Sequence, residues 1–137
     1  MATIRKFEEV LSWIEARELN KVVGKLIKGN NFEKNFRLIN QIEGSAGSIM
    51  DNIAEGFDRN GNKEFIQFLY IAKASCAEFR SQLYRAVDRD YLRDEEFKNL
   101  YDHALRISSL IQALINYLKD SELTGSKFKT IKNASNL

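Results

Sequence analysis

The most restrictive feature of this sequence is the absence of proline from all 137 residues. Proline interrupts helices and marks loops, because its ring fixes φ and removes a backbone donor. A chain without proline can form long helices with short connections, so the sequence predicts few and long helices. A hydrophobic content of 44% is enough to build one domain with a proper core.

Apolar residues recur at steps of three and four along four stretches, which is the period of amphipathic helices. The predicted helices are Phe7 to Lys28, Phe32 to Phe57, Lys63 to Val87 and Asp94 to Leu118. The start of the first helix, near Thr3 or near Ser12, stays open. The main stripe of the second helix contains Phe36, Ile39, Ile42, Ala46, Ile49 and Ile53.

Short links between such helices make sequence neighbours antiparallel. The predicted fold is therefore all-α, an up-down-up-down antiparallel four-helix bundle over residues 1–120. Residues 121–137 are predicted to form a polar, basic and flexible tail. Gly44 and Gly47 lie inside the second helix, where each glycine costs about 1 kcal/mol against alanine. Their presence predicts the close approach of a neighbouring helix.

Composition narrows the function classes. The formal net charge of +2 is too balanced to indicate a nucleic-acid-binding protein by itself. The single cysteine, Cys76, excludes an internal disulfide and a multi-cysteine metal site, and it favours a reducing cytoplasm. No apolar run reaches membrane-spanning length, so neither secretion nor a transmembrane helix is predicted. No cofactor is expected.

A polar row borders the apolar stripe of the second helix. Ser48, Asn52 and Glu55 are separated by four and three positions, so they share one side of the helix. Paired polar groups at such places disfavour wrong helix alignments. The row is therefore interpreted as fixing helix register, and Gly56 as allowing the chain to leave the helix.

The third helix carries two apolar rows, which make a face wider than one neighbour needs. In a small bundle an extra apolar side favours contact with another subunit. The candidate oligomer contacts are Ile66, Leu69, Tyr70 and Cys76.

Two runs together resemble a known family. They are Ser48-Ile49-x-x-Asn52-Ile53-Ala54-Glu55-Gly56 and Glu64-Phe65-x-x-Phe68-Leu69-x-x-Ala72-x-x-Ser75-x-x-Glu78-x-x-x-Gln82-Leu83. The combined pattern is similar to the four-helix bundle proteins encoded in intervening sequences of bacterial 23S ribosomal RNA genes. The likeness extends over about residues 7 to 119, and the first helix contributes Phe7, Trp13, Ala16, Arg17, Glu18 and Leu19.

The resemblance implies a homopentamer without known catalytic activity. The fold is also similar to that of the accessory variability determinants of diversity-generating retroelements. Those proteins form a positively charged pentameric barrel and associate with a reverse transcriptase and nucleic acid. This sequence has Glu43-Gly44 where family members commonly carry a basic pair, and Met50 where they commonly carry proline. The first departure weakens the transfer of nucleic-acid binding.

No catalytic constellation is legible in the sequence. His103 is the only histidine and is interpreted as a surface or interface residue. Cys76 falls on an apolar row and is interpreted as a small buried hydrophobe rather than a reactive thiol. Asp94, Glu95 and Glu96 complement the amino end of a helix dipole. The protein is therefore predicted not to be an enzyme.

Two basic groups are candidate nucleic-acid contacts. Arg17, Lys21, Lys25 and Lys28 form a stripe on the first helix, which an oligomer would repeat into a basic belt. The alternative is a solvated face. The second group mixes cations with rings suited to stacking on unpaired bases, namely Arg80, Tyr84, Arg85, Arg89, Tyr91 and Arg93. Its alternative is pairing of these arginines with Asp88, Asp90 and Asp94.

The leading functional hypothesis is a non-enzymatic, homo-oligomeric scaffold or adaptor, with itself and a further protein as partners. The alternative is an accessory protein that binds RNA or DNA through basic faces of the oligomer.

Overall fold

The structure is a computed structural model that describes residues 3–123, with all their side chains except those of Asn31, Glu122 and Leu123. The described chain forms four long helices. They are α1 (Leu11–Asn30), α2 (Phe36–Phe57), α3 (Asn62–Asp88) and α4 (Asp94–Leu123). Each helix packs against its neighbours in sequence, and α1 also packs against α4 to close the ring. The all-α, antiparallel four-helix bundle is therefore confirmed.

The helix ends differ from the prediction in places. A short 3₁₀ turn over Phe7–Glu9 precedes α1, so the first helix begins near Ser12 rather than near Thr3. The last helix continues to Leu123, past the predicted end at Leu118. Residues 124–137 of the predicted tail lie outside the described residues.

The bundle core is built from apolar stripes of the four helices. On α4 the buried stripe is Leu100, Ala104, Ile107, Ile111, Leu114 and Leu118. Both apolar rows of α3 are also used inside this chain, because α3 packs against α2 on one side and α4 on the other. The prediction that Ile66, Leu69 and Cys76 contact another subunit is therefore wrong, since all three are buried in the core. Of that set only Tyr70 is exposed.

The connection between α1 and α2 corrects the predicted start of the second helix. Phe32, Glu33 and Lys34 have φ angles of 44°, 51° and 61°, which break the helix and form a left-handed turn. The Phe32 ring is buried and stacks on Tyr91 at a centroid distance of 5.4 Å. Its burial stabilises a backbone conformation that costs free energy at non-glycine residues.

Asparagine side chains close this turn at both ends. The Asn30 side chain accepts from the backbone N–H of Phe32 at 2.8 Å, and the Asn35 side chain accepts from that of Leu38 at 3.2 Å. Since α2 begins only after Asn35, Phe36 occupies its first turn and is 60% exposed. The assignment of Phe36 to the buried stripe was wrong.

Candidate functional site

The sole histidine joins α1 to α4. His103 Nε2 lies 3.0 Å from Glu15 Oε1, and Arg106 Nε lies 3.4 Å from the same carboxylate oxygen. Across residues 3–123, no cluster of three or more histidine, cysteine, aspartate or glutamate side chains is arranged to hold a metal ion. The geometry therefore makes His103 part of an interhelical contact.

Cys76 is fully buried, and burial raises the pKa of its thiol to about 12, although Arg80 and Lys73 act in the opposite direction. A thiol reacts as the thiolate, so the native side chain is protected from reagents both because it is buried and because it stays protonated. We expect Cys76 to react with an aromatic disulfide at about pH 8 only as fast as the protein unfolds, because the thiol in the unfolded chain has an ordinary pKa. Immediate labelling of the native protein would contradict this prediction.

The same pKa predicts a pH effect on stability. Because the thiolate is favoured in the unfolded chain, the contribution of Cys76 is complete below its ordinary value of 9.0. It is lost as the pH rises from there toward about 12. In this pH window the free energy of unfolding of the wild type, measured by denaturant titration, should therefore fall relative to that of Cys76→Ala. A constant difference would contradict it.

A line of hydrogen-bonded polar side chains joins α2 to α3. We refer to it as the polar seam, formed by Ser45, Ser48, Asn52, Ser75 and Gln82. At one end the Ser45 hydroxyl donates to Gln82 Oε1 at 2.6 Å, and Gln82 Nε2 donates to Glu78 Oε1 at 3.2 Å. Ser45 and Gln82 are both buried. Polar groups in such a place have to be paired, so these bonds favour a single alignment of the two helices.

The middle of the polar seam contains two of the predicted motif residues. The Ser48 and Ser75 hydroxyls lie 2.9 Å apart, and Asn52 Nδ2 donates to the backbone oxygen and the hydroxyl of Ser48 at 2.8 and 2.9 Å. Ser75 and Gln82 were not predicted to belong to this network. Their signal was available, because they are the polar members of the apolar stripe of α3.

The third member of the predicted polar row lies outside the seam. Glu55 is exposed and pairs with Arg59 at 2.9 Å. Glu55 lies three residues beyond Asn52, and the helical rotation over those residues turns the Glu55 side chain toward solvent and away from α3.

The glycines of α2 have other roles than predicted. Gly56 is buried inside the helix, and a Cβ there would lie 2.6 Å from Phe68 Cβ and 3.0 Å from Phe65 Cδ1. It therefore permits close packing of α3 and does not end the helix. For Gly44 and Gly47 the prediction of a close neighbour fails among residues 3–123, because a Cβ at either position would meet nothing within 4 Å.

The basic stripe of α1 is exposed along its whole length, at Arg17, Lys21, Lys25 and Lys28. It is partly neutralised, because Lys21 pairs with Glu18 at 2.9 Å. Lys21 also lowers the pKa of the Glu18 carboxyl, chiefly by donating this hydrogen bond to it.

Two shallow depressions, of about 350 and 660 Å³, lie at the end of the bundle where α1 meets the link between α3 and α4. Both are lined by Asn30 and Glu96; the smaller adds Lys25 and the larger adds Arg93. Arg93 Nε lies 3.3 Å from Glu96 Oε1, so a carboxylate offsets the cation there. This arrangement is poorly suited to an anionic ligand.

The arginines of α3 do not pair as the alternative predicted. Arg80 donates to the Tyr101 hydroxyl at 3.3 Å, Arg85 to Gln41 Oε1 at 2.8 Å, and Arg89 to the backbone oxygen of Arg85 at 3.3 Å. All of these acceptors are neutral. Within the described part of the chain, the predicted pairing with Asp88, Asp90 and Asp94 is absent, and Arg93 pairs with Glu96 instead.

The aromatic residues of the second basic group separate into two places. Tyr91 is half-buried and uses one face of its ring to stack on Phe32. Tyr84 is 50% exposed and contacts Phe97 and Tyr101, with ring centroids 4.9 and 5.8 Å away.

These features define a small all-helical bundle protein in which a partly buried polar seam joins α2 to α3. A family model described as 23S rRNA-intervening sequence protein matches residues 8–113. The chain belongs to this family, which confirms the resemblance carried by the motif.

A crystal structure shares the fold. It is described as a protein with unknown function from the S23 ribosomal protein family of Bacteroides thetaiotaomicron. The match has a TM-score of 0.68 and 22% sequence identity, and it covers 77% of this chain and 98% of the other. No curated protein matches significantly. Among the described helices, none combines the length and hydropathy needed to cross a membrane.

Proposed function

We propose that this protein is a non-enzymatic, homo-oligomeric helical scaffold or adaptor that acts in a reducing cytoplasm. A pentamer is the assembly that the family resemblance implies. The observation that supports self-association is a surface of small and apolar residues, the α2–α3 face. Gly44, Ile71 and Ala74 are exposed on it, and Gly47 is half-buried.

Helix geometry places these residues on the same side of the junction between α2 and α3. Gly44 lies four residues before Ser48 and Ile71 four residues before Ser75, so each shares a side of its helix with its seam residue. The Ser48 to Ser75 hydrogen bond joins those two sides. Gly44 and Ile71 therefore flank the same junction of α2 and α3.

The two glycines are costly in the isolated chain. Each destabilises a helix interior by about 1 kcal/mol relative to alanine, and no described atom uses the space that the missing side chain leaves. A second copy that brings a helix against this surface would use that space. Ile71, which is 49% exposed, would add apolar contact.

We expect Gly44→Ala combined with Gly47→Ala to weaken self-association, because two methyl groups would separate the packed surfaces. Each substitution should stabilise the individual chain by up to about 1 kcal/mol. Light scattering after size exclusion measures the assembly, and denaturant titration measures the stability.

Gly24→Ala is the matched control, because Gly24 lies on α1 and also has nothing within 4 Å of its Cβ position. It should leave the oligomeric mass unchanged. A wild-type monomer at micromolar concentration would refute the scaffold, and a double variant that assembles like wild type would refute the α2–α3 face.

A second candidate function is an accessory role in which the protein binds RNA or DNA, in association with a reverse transcriptase. The supporting observation is that Arg80, Arg85 and Arg89 donate to neutral acceptors, which leaves their charge available. Retention on single-stranded RNA or DNA that falls steeply with added salt would support it. Absence of retention at low salt would refute it.

A further inference from the structure

A continuous surface of cations and aromatic rings follows the junction of α3 and α4. We refer to it as the α3–α4 face, formed by Tyr70, Lys73, Arg80, Tyr84, Tyr101 and Lys119. Only Arg80 and Tyr84 belong to the basic group singled out from the sequence, because the other members come together through the packing of the two helices.

Its three cations keep their charge. Lys119 Nζ donates to the Tyr70 hydroxyl at 2.8 Å, and Lys73 Nζ donates to Gln112 Oε1 at 2.6 Å. Arg80 donates to the Tyr101 hydroxyl at 3.3 Å. Since every one of these acceptors is neutral, no carboxylate cancels the positive charge of these side chains. Asp102, an acidic residue of α4, pairs with Lys98 instead.

The aromatic rings are held in place and partly open to solvent. Tyr84 contacts Phe97 and Tyr101, and those two rings stack at 5.4 Å with an interplanar angle of 28°. Tyr70 is 44% exposed, with Lys119 Nζ 5.3 Å from its ring centroid. Rings fixed by such contacts lose little conformational freedom when a flat ligand stacks on them.

The length of the surface suits a short stretch of nucleic acid. Tyr70 and Tyr84 lie on one helix, and at a rise of 1.5 Å per residue they are separated by about 21 Å along its axis. At about 3.4 Å per stacked nucleotide this distance corresponds to roughly six nucleotides.

We infer that the α3–α4 face binds single-stranded nucleic acid, with bases stacking on Tyr70 and Tyr84 and phosphates meeting Lys73, Arg80 and Lys119. The inference rests on the second candidate function and assigns it a surface. Unpaired bases expose the aromatic faces that stack on such rings, whereas a duplex or an acidic peptide would engage the cations alone.

The test uses fluorescence anisotropy with a labelled 12-nucleotide single-stranded RNA and the DNA of the same sequence. Tyr70→Ala and Tyr84→Ala should each weaken binding about tenfold or more, because alanine removes the stacking surface. The conservative variants Tyr70→Phe and Tyr84→Phe keep the rings and should bind like wild type. Melting curves of all variants show whether the fold is intact.

A charge variant gives an independent measure. Lys73→Gln with Lys119→Gln should weaken binding and reduce the slope of log K against log salt by about 0.7 for each cation removed. Lys21→Gln with Lys25→Gln on α1, and Phe36→Ala on α2, change similar side chains off this face and should leave the affinity unchanged.

The outcomes separate the two levels of the proposal. Absence of any salt-dependent binding by wild type would overturn both the second candidate function and this inference. Binding that survives in folded Tyr→Ala variants, or that is lost only in the α1 variant, would overturn the inference and leave the candidate function standing. The inference would also be overturned, and the candidate function left standing, if a duplex of equal length, or polyglutamate, is bound as tightly as the single strand.

Discussion

Gly56→Ala is expected to destabilise the bundle by about 2 kcal/mol, because the position leaves no room for a Cβ atom. The added carbon would lie 2.6 Å from Phe68 Cβ. That atom is attached to the backbone of α3, so rotation of the phenylalanine ring cannot remove the clash. The two helices would have to move apart, which places the cost at the upper end, about 3 kcal/mol, of the range usual for overpacking. The higher helix propensity of alanine offsets about 1 kcal/mol of this.

Denaturant titration of the purified variant measures the effect, and Gly24→Ala provides the comparison. The control makes the same chemical change in a helix with open space around it, so its free energy of unfolding should stay equal or rise. Opposite signs for the two variants would show that close packing of α3 controls the result. Equal stabilisation would mean that α2 and α3 are not in contact at Gly56.

The regular parts of the fold were predictable because helix periodicity is a local property. On α4 the residues from Leu100 to Leu118 that repeat at steps of three and four are all buried. The error at Phe36 has a nonlocal cause. Burial of Phe32 against Tyr91, distant in sequence, holds the left-handed turn that delays the start of α2.

The glycines show a different limit. A residue without a side chain leaves no apolar or polar signal, so the sequence pattern cannot separate Gly44 and Gly47, which are open, from Gly56, which is enclosed. The distinction depends on where the aromatic residues of α3 lie against α2.

The surfaces depend on side-chain geometry that spacing does not determine. Asp88 and Asp90 are close in sequence to Arg85 and Arg89, yet both arginines donate elsewhere. Lys119 and Tyr70 are far apart in sequence and meet only because α4 packs beside α3. Patterns along one helix predict which residues share a side, whereas partners across helices require the packed structure.

Ser45→Ala is expected to lower the free energy of unfolding by about 1–3 kcal/mol, although it removes a single oxygen atom. The change leaves Gln82 Oε1 buried without the donor that lies 2.6 Å away in the native protein. Gln82→Leu should cost less, because the Ser45 hydroxyl can still donate to the Ile42 backbone oxygen at 3.2 Å. Ser81→Ala, at an exposed position of α3, should change stability by less than about 0.5 kcal/mol.

A double-mutant cycle by denaturant titration isolates the pair. The variant with both Ser45→Ala and Gln82→Leu removes both partners, so its loss should be about 1 kcal/mol or more below the sum of the single losses. Additive losses would mean that the hydrogen bond does not contribute to aligning the helices. Coupling, in contrast, would explain how a small bundle keeps the α2–α3 face in register, because a slip of α2 along α3 would leave these buried groups unpaired.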